Sequence, residues 1–224
     1  MKLKTVAMDN TLVIGSCRVY KPSTPLKPMG IIRYPGGIIH TPKQVLQVID
    51  IANKDLILEE KDFINIFRIG KGITIKNLEE VQIDLNSFDK FVIELASLTD
   101  FVSDKYFCHS YKELINVPYK ISKYTMNDTI DCIRKIHSKL HYKPILFIQH
   151  NNFNKIINLD RYILGYAMAS YALSKDNVEF IDLIKYVAEF GAEQTLTDAN
   201  HHTEFMINQV RSEIIKFARG KEYE

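Results

Sequence analysis

A serine and a cysteine stand side by side at Ser16 and Cys17, behind Gly15 and ahead of Arg18, in the stretch LVIGSCRVY. Near the other end of the chain, LTDANHHTEF carries Asp198, His201 and His202. A hydroxyl is a weak nucleophile until an imidazole takes its proton. The imidazole in turn needs a carboxylate that fixes its tautomer and stabilises its charged form. Asp198 and His201 are three residues apart, a spacing that brings carboxylate and ring to one side of a turn entering a helix. One segment would then deliver base and orienter, and Ser16 the nucleophile. Gly15 permits a tight turn and close approach of a substrate to backbone N–H groups, which can hold a developing oxyanion.

Each of these residues also has a plainer reading. Ser16 and Asp198 suit helix N-caps. Cys17 reads as a small packed residue, with a Cys17–His201 pair as the competing nucleophile and base. Arg18 fits an anionic substrate group or a surface ion pair, and His40 a pocket wall or a capping position. His202 reads as a solvated neighbour of His201. A metal site from His150, His201 and His202 is disfavoured, because adjacent histidines on a helix point apart. Glu94 lies within a buried-looking strand and needs a partner. Tyr106, Tyr111, Tyr119 and Tyr124 suit either a wall on which sugars stack or the edge of a core.

The elements that must position these groups alternate between short apolar runs and longer amphipathic stretches. Strands are expected at Thr11–Ile14, in KFVIELAS (90–97), in ILFIQ (145–149) and in VEFIDL (178–183). The three prolines of VYKPSTPLKPM predict a loop with at most one helical turn, and YPGG (34–37) a turn. Thr41 and Pro42 open a helix as N-cap and first residue. A short helix is expected over 61–67, followed by a hairpin-like or loop segment to 86. Further helices are expected over 127–140, capped by Asn127 or Asp128, then over 159–173 and 203–218. In the second of these, Gly165, Ala167 and Ala169 face the sheet. Strands separated by helices imply an α/β fold, a three-layer α/β/α sandwich with a mainly parallel central sheet. In such sheets reactive groups gather at the carboxyl ends of the strands, and Ser16–Arg18, Ala96–Ser97 and His150–Asn152 all follow a strand.

This layout resembles the SGNH (GDSL-like) hydrolase superfamily along nearly the whole chain. IGSC matches the family's first block through Gly15 and Ser16, in a Gly-Ser-Cys variant, and DANH (198–201) matches its Asp-x-x-His block. The resemblance implies an SGNH-hydrolase or flavodoxin-like fold, with Ser16 as nucleophile, His201 as base and Asp198 as its partner. The second-block glycine would be Gly36 or Gly37, an oxyanion donor. The third block, Gly-x-Asn-Asp, is absent; ELAS stands in its place. Asn151 or Asn152 could replace its asparagine in the oxyanion hole. The family implies acyl transfer at short acyl groups, often acetyl groups of carbohydrates. A sugar acetyltransferase and a carbohydrate acetylesterase are weighed equally. The alternatives are a Cys17-dependent thiol enzyme and a non-catalytic glycan-binding module on the same fold.

Bulk composition narrows the partners. The 224 residues suffice for one domain (1–224), which could be part of a longer protein. A net charge of +2 without a Lys/Arg block argues against nucleic acid or an anionic membrane as partner. Three cysteines without paired spacing argue against a disulfide framework and fit a reducing compartment. With no signal-peptide pattern at the N-terminus and no membrane-length apolar run, a cytoplasmic location is expected. There an acyl donor such as acetyl-CoA is available as co-substrate. No tightly bound cofactor or metal is expected, and the substrate would be a small molecule or a carbohydrate.

Overall fold

A computed structural model describes residues 10–59, 66–67, 78–103, 106–108, 118–150, 159–198 and 201–220. The apolar runs form a five-stranded sheet of β1 (Thr11–Ile14), β2 (Ile31–Arg33), β3 (Lys90–Leu95), β7 (Ile145–Gln149) and β8 (Val178–Asp182). Its order is β2-β1-β3-β7-β8, and every neighbouring pair is parallel. This is the flavodoxin-like doubly wound order, in which the chain reverses direction across the sheet between β1 and β3. Between β3 and β7 lies a separate antiparallel sheet of β4 (Thr99–Ser103), β5 (Tyr106–Cys108) and β6 (Lys120–Lys123), ordered β5-β4-β6.

Side-chain alternation along the central strands sets the layers. Leu12, Ile14, Phe91, Ile93 and Phe147 point to one face. They pack on α2 (Pro42–Ala52), α3 (Met126–Lys139) and α4 (Leu159–Leu173). Val13, Val92, Leu146 and Ile148 point to the other face, where α1 (Cys17–Ser23), α5 (Leu183–Phe190) and α7 (Glu204–Arg219) cover them. The four residues 192–195 form α6, which leads into a hairpin of β9 (Leu196–Asp198) and β10 (His201–His202). The α/β/α sandwich with a parallel sheet is therefore the architecture. None of the described helices is long and apolar enough to cross a membrane.

Local chemistry explains both the expected and the unexpected boundaries. Thr41 caps α2 in a full capping box with Gln44, and Pro42 occupies the first turn. The α3 helix begins one residue earlier than expected. Its cap is Thr125, reciprocated by Asp128, and Asn127 takes no part. The stretch read as a proline loop is helical: α1 is followed by a 3₁₀ helix over Thr24–Met29. Pro22 falls near the end of α1, and Pro25 falls at the start of the 3₁₀ helix, where a missing N–H costs little. Residues 61–65 of the expected short helix lie outside the described residues; 78–80 and 85–87 form single 3₁₀ turns.

Tyr106 and Tyr124 are buried at the edge of the core, so they supply no open stacking wall. Tyr119 packs its ring edge-on against Phe101 at 5.1 Å between centroids, and Tyr111 lies outside the described residues. In α4, Gly165 and Ala167 are buried, but Ala169 is only half-buried. A Cβ on Gly165 would collide with the side chain of Gln149.

Candidate active site at the carboxyl ends of the strands

Gly15 ends β1 because nothing larger fits: a Cβ there would lie 2.7 Å from Val19 Cγ2 and 2.8 Å from Glu94 Cβ. Ser16 follows in extended conformation as the N-cap of α1. Its Oγ accepts from the Arg18 N–H at 3.4 Å and from Arg18 Nη1 at 3.0 Å. Its own N–H donates to Glu94 Oε2 at 2.7 Å, so this amide is already committed and does not face an oxyanion. Glu94 Oε1 faces Arg18 Nη1 as an ion pair at 3.5 Å but takes no hydrogen bond, so the buried acid is satisfied through Oε2 and by the charge of Arg18. Cys17, the first residue of α1, is half-buried, and its N–H meets no acceptor among the described residues.

Tyr20 ties this turn to the loop after β2. Its hydroxyl accepts from the Gly15 N–H at 3.3 Å and donates to the Gly37 carbonyl at 2.7 Å. Gly37 sits at φ 81°, a left-handed conformation that glycine adopts without strain. Burial pushes the Tyr20 phenol far up, so it is a structural donor rather than an acid.

At the other end of the chain, Asp198 and His201 meet across the β9–β10 hairpin rather than in a helical turn. His201 Nδ1 is 2.7 Å from Asp198 Oδ2, and the His201 N–H donates to Asp198 Oδ1 at 2.9 Å. The ring is thereby oriented, and Nε2 is left for another partner. The histidine doublet divides opposite to expectation. His201 is exposed, whereas His202 points inward and is buried. Strand alternation explains the split, because successive side chains leave opposite faces. Burial, then the charges of Arg18, His201 and Lys21, push His202 down to about 4, so it is neutral at pH 7. Among the described residues no group of histidine, cysteine and carboxylate side chains could hold a metal.

Two cavities flank Arg18. Cys17, Arg18, Lys21, His201, His202 and Ile207 line a narrow cleft of about 10 Å³, room for about one water. Ser16 is not among its lining residues, and no hydrogen bond joins Ser16 to His201 among the described residues. The second cavity, of about 250 Å³, lies over the carboxyl ends of β3 and β7. Its walls include Arg18, His40, Ser97, Thr99, His150 and Arg161. His40 thus lines a pocket, and its carbonyl also receives the N–H groups of Ala96 and Ser97 at 2.9 and 3.2 Å. Gly37 is not among the residues lining either cavity, and Asn151 and Asn152 lie outside the described residues.

Sequence reasoning passed over Arg161. It lies two residues into α4, and a strand-end search does not reach a helix that starts beyond the following loop. Burial and the positive charge of Arg18 lower its pKa, while Glu94 opposes the shift, so these three groups sense one another. His150 is buried at the end of β7, and desolvation followed by the Arg18, Arg161 and His40 charges holds it well below the usual histidine range.

No protein-family model matches the chain, and no curated protein matches it in sequence. Among solved structures, a candidate platelet activating factor from Streptococcus pneumonia is similar at 12% identity and a TM-score of 0.46, over 95% of this chain and 85% of that one. A family 3 carbohydrate esterase from Clostridium thermocellum is similar at 12% identity and a TM-score of 0.47, over 91% of this chain and 92% of its own. Likenesses this distant bear on neither substrate nor mechanism.

Proposed function

We propose that the chain is an SGNH-type acyl-transfer enzyme whose nucleophile is the Cys17 thiol, with His201 as base and Asp198 as its orienter. The observation that supports this reading most is the shared cleft: Cys17 and His201 line it together, and Asp198 holds the His201 Nδ1. Ser16, which the motif alone favours, has its Oγ engaged as a helix cap.

In the proposed reaction His201 Nε2 takes the Cys17 proton, and the thiolate attacks the carbonyl carbon of a short acyl ester or thioester. The Cys17 N–H, at the open end of α1, would donate to the oxyanion. Collapse breaks the bond to the leaving alkoxide or thiolate, which takes the proton from the imidazolium. The acyl-cysteine is then resolved by an acceptor that the same imidazole deprotonates. Water as acceptor makes the protein an esterase; a sugar hydroxyl or amine makes it an acetyltransferase, with acetyl-CoA as donor.

A second reading keeps Ser16 as nucleophile. Its support is Arg18 Nη1 at 3.0 Å, a cation placed to stabilise an alkoxide. In that case substrate binding must free Oγ from its cap.

Turnover of p-nitrophenyl acetate, and of acetyl-CoA with hydroxy- and amino-sugars, tests the proposal. Cys17→Ala is expected to abolish turnover and Ser16→Ala to retain most of it. The opposite pattern transfers the role to Ser16. A folded protein that turns over no acyl donor would overturn the enzyme reading in favour of a glycan-binding module.

A further inference from the structure

The α4 helix is apolar on both of its faces. The inner face packs Leu164, Ala167, Met168 and Tyr171 into the core. On the outer face Leu159, Tyr162, Tyr166 and Leu173 are 66, 62, 63 and 91% exposed. No charged residue occurs between Arg161 and Lys175. A helix that covers a core on one side normally carries charged and polar residues on the other, and one that is apolar all round is expected to be covered all round. With the half-buried Ala169, the exposed residues follow one another at steps of three and four, the spacing of a seam between two paired helices.

The order of side chains along the seam points to its occupant. A leucine stands seven residues to either side of Tyr166, at Leu159 and Leu173. Three and four residues before Tyr166 stand the large Ile163 and Tyr162; at the same distances after it stand the small Ala169 and Ser170. A second copy related by a twofold axis through Tyr166 sets each residue against the one equally far on the other side. Leucine then meets leucine, and the large residues of each copy fill the space above the small ones of the other. A parallel pair would instead set Tyr162 against itself and leave a gap at Ala169.

Charge and area agree with such a pair. Each end of the stripe carries both signs, Asp160 and Arg161 at one and Lys175 and Asp176 at the other, so antiparallel pairing brings no block of like charge together. The two tyrosines and two leucines expose on the order of 500 Å², comparable with the largest patch of a typical monomer. Two such patches face to face would bury about 1,000 Å², the lower bound for a specific interface. A reversible dimer is therefore expected rather than an obligate one.

We infer that the outer face of α4 is a homodimerisation surface, on which two copies of this chain pair antiparallel about a twofold axis at Tyr166. The pairing does not depend on the acyl-transfer reading.

The test is sedimentation velocity over a concentration series from micromolar to submillimolar. The wild type is expected to shift from monomer to dimer within that series. Tyr166→Glu places two like charges on the axis and is expected to raise the dissociation constant roughly a hundredfold or more. Circular dichroism establishes that the variant is folded. Orientation is read independently of Tyr166 by mixing Leu159→Cys with a mass-tagged Leu173→Cys and adding a short bis-maleimide, with the wild type as control for Cys17. Antiparallel pairing predicts that the two variants link to each other and that neither links to itself. A wild type that stays monomeric throughout would overturn the inference and leave the face to a different partner. A folded Tyr166→Glu that dimerises like the wild type, or Leu159→Cys linking to itself, would overturn it as well.

Discussion

Glu94 and Ser16, on adjacent parallel strand ends, are joined by a 2.7 Å hydrogen bond from the Ser16 amide to Glu94 Oε2. The same carboxylate faces Arg18 Nη1 at 3.5 Å. A buried acid in a sheet interior is costly unless such partners satisfy it. Here the acid fixes the turn that carries Ser16 and Cys17. Glu94→Ala would leave the Arg18 guanidinium and the Ser16 amide without it, and a loss of about 3–5 kcal/mol is expected. Urea denaturation would measure it, with Glu94→Gln losing less because an amide oxygen can still accept from Ser16.

Gly15→Ala forces a methyl to within 2.7 Å of Val19 Cγ2 and 2.8 Å of Glu94 Cβ. Overpacking of this kind costs about 1–3 kcal/mol. The displaced atoms belong to the Glu94 support and to α1, so turnover should fall further than stability. Denaturation midpoints compared with kcat/KM would show whether it does.

Tyr20→Phe removes the hydroxyl that bridges the Gly15 N–H and the Gly37 carbonyl. Both groups are then left short of a partner, at a cost of about 1–3 kcal/mol. Faster hydrogen exchange at the Gly15 amide would locate the effect, and unchanged exchange there would contradict the bridging role.

His202 gives a pH dependence with a definite sign. Its folded-state pKa, about 4, lies below the unfolded value of 6.5. Above pH 6.5 neither state is protonated there and the residue contributes no slope. Between about 6.5 and 4 the unfolded state takes up the proton first, so stability falls as pH falls and levels off below the folded value. The window corresponds to about 3 kcal/mol at 1.36 kcal/mol per unit. His202→Gln should flatten the stability profile across this window, as denaturation at a series of pH values would reveal. A variant with the wild-type slope would assign the acid sensitivity to other groups, His150 first among them, since it too is held neutral by burial.

Much of the fold was legible because β1, β3 and β7 are dominated by apolar residues and bounded by polar or helix-opening residues. Thr41-Pro42 before α2 and Thr203 before α7 announce their helices through cap chemistry. The β4–β6 sheet was not legible: KISK carries mostly exposed residues, so it lacks the alternation that marks a half-buried strand. α1 was hidden by prolines that fall near its end and in the 3₁₀ helix beyond it, where their ring geometry is tolerated.

At the site, the Asp198–His201 partnership followed from spacing, although a hairpin rather than a helix produces it. The division between Ser16 and Cys17 did not follow. Both are reactive and adjacent, and only the folded structure shows that Ser16 caps α1 and that Cys17 is among the residues lining the cleft beside His201. Arg161 depends on how α4 packs over the end of β7, a relationship that lies in tertiary structure rather than in any local pattern.

Trapping the acyl-enzyme tests the central claim most directly. After a brief reaction with p-nitrophenyl acetate and an acid quench, intact-mass and peptide-mapping spectrometry would locate one added acetyl group. The account predicts that group on Cys17. It should be absent from Cys17→Ala, and it should still form in Ser16→Ala, a cap substitution that costs only about 1 kcal/mol of stability. Acetyl on Ser16, in a protein whose Cys17→Ala variant labels and turns over normally, would contradict it.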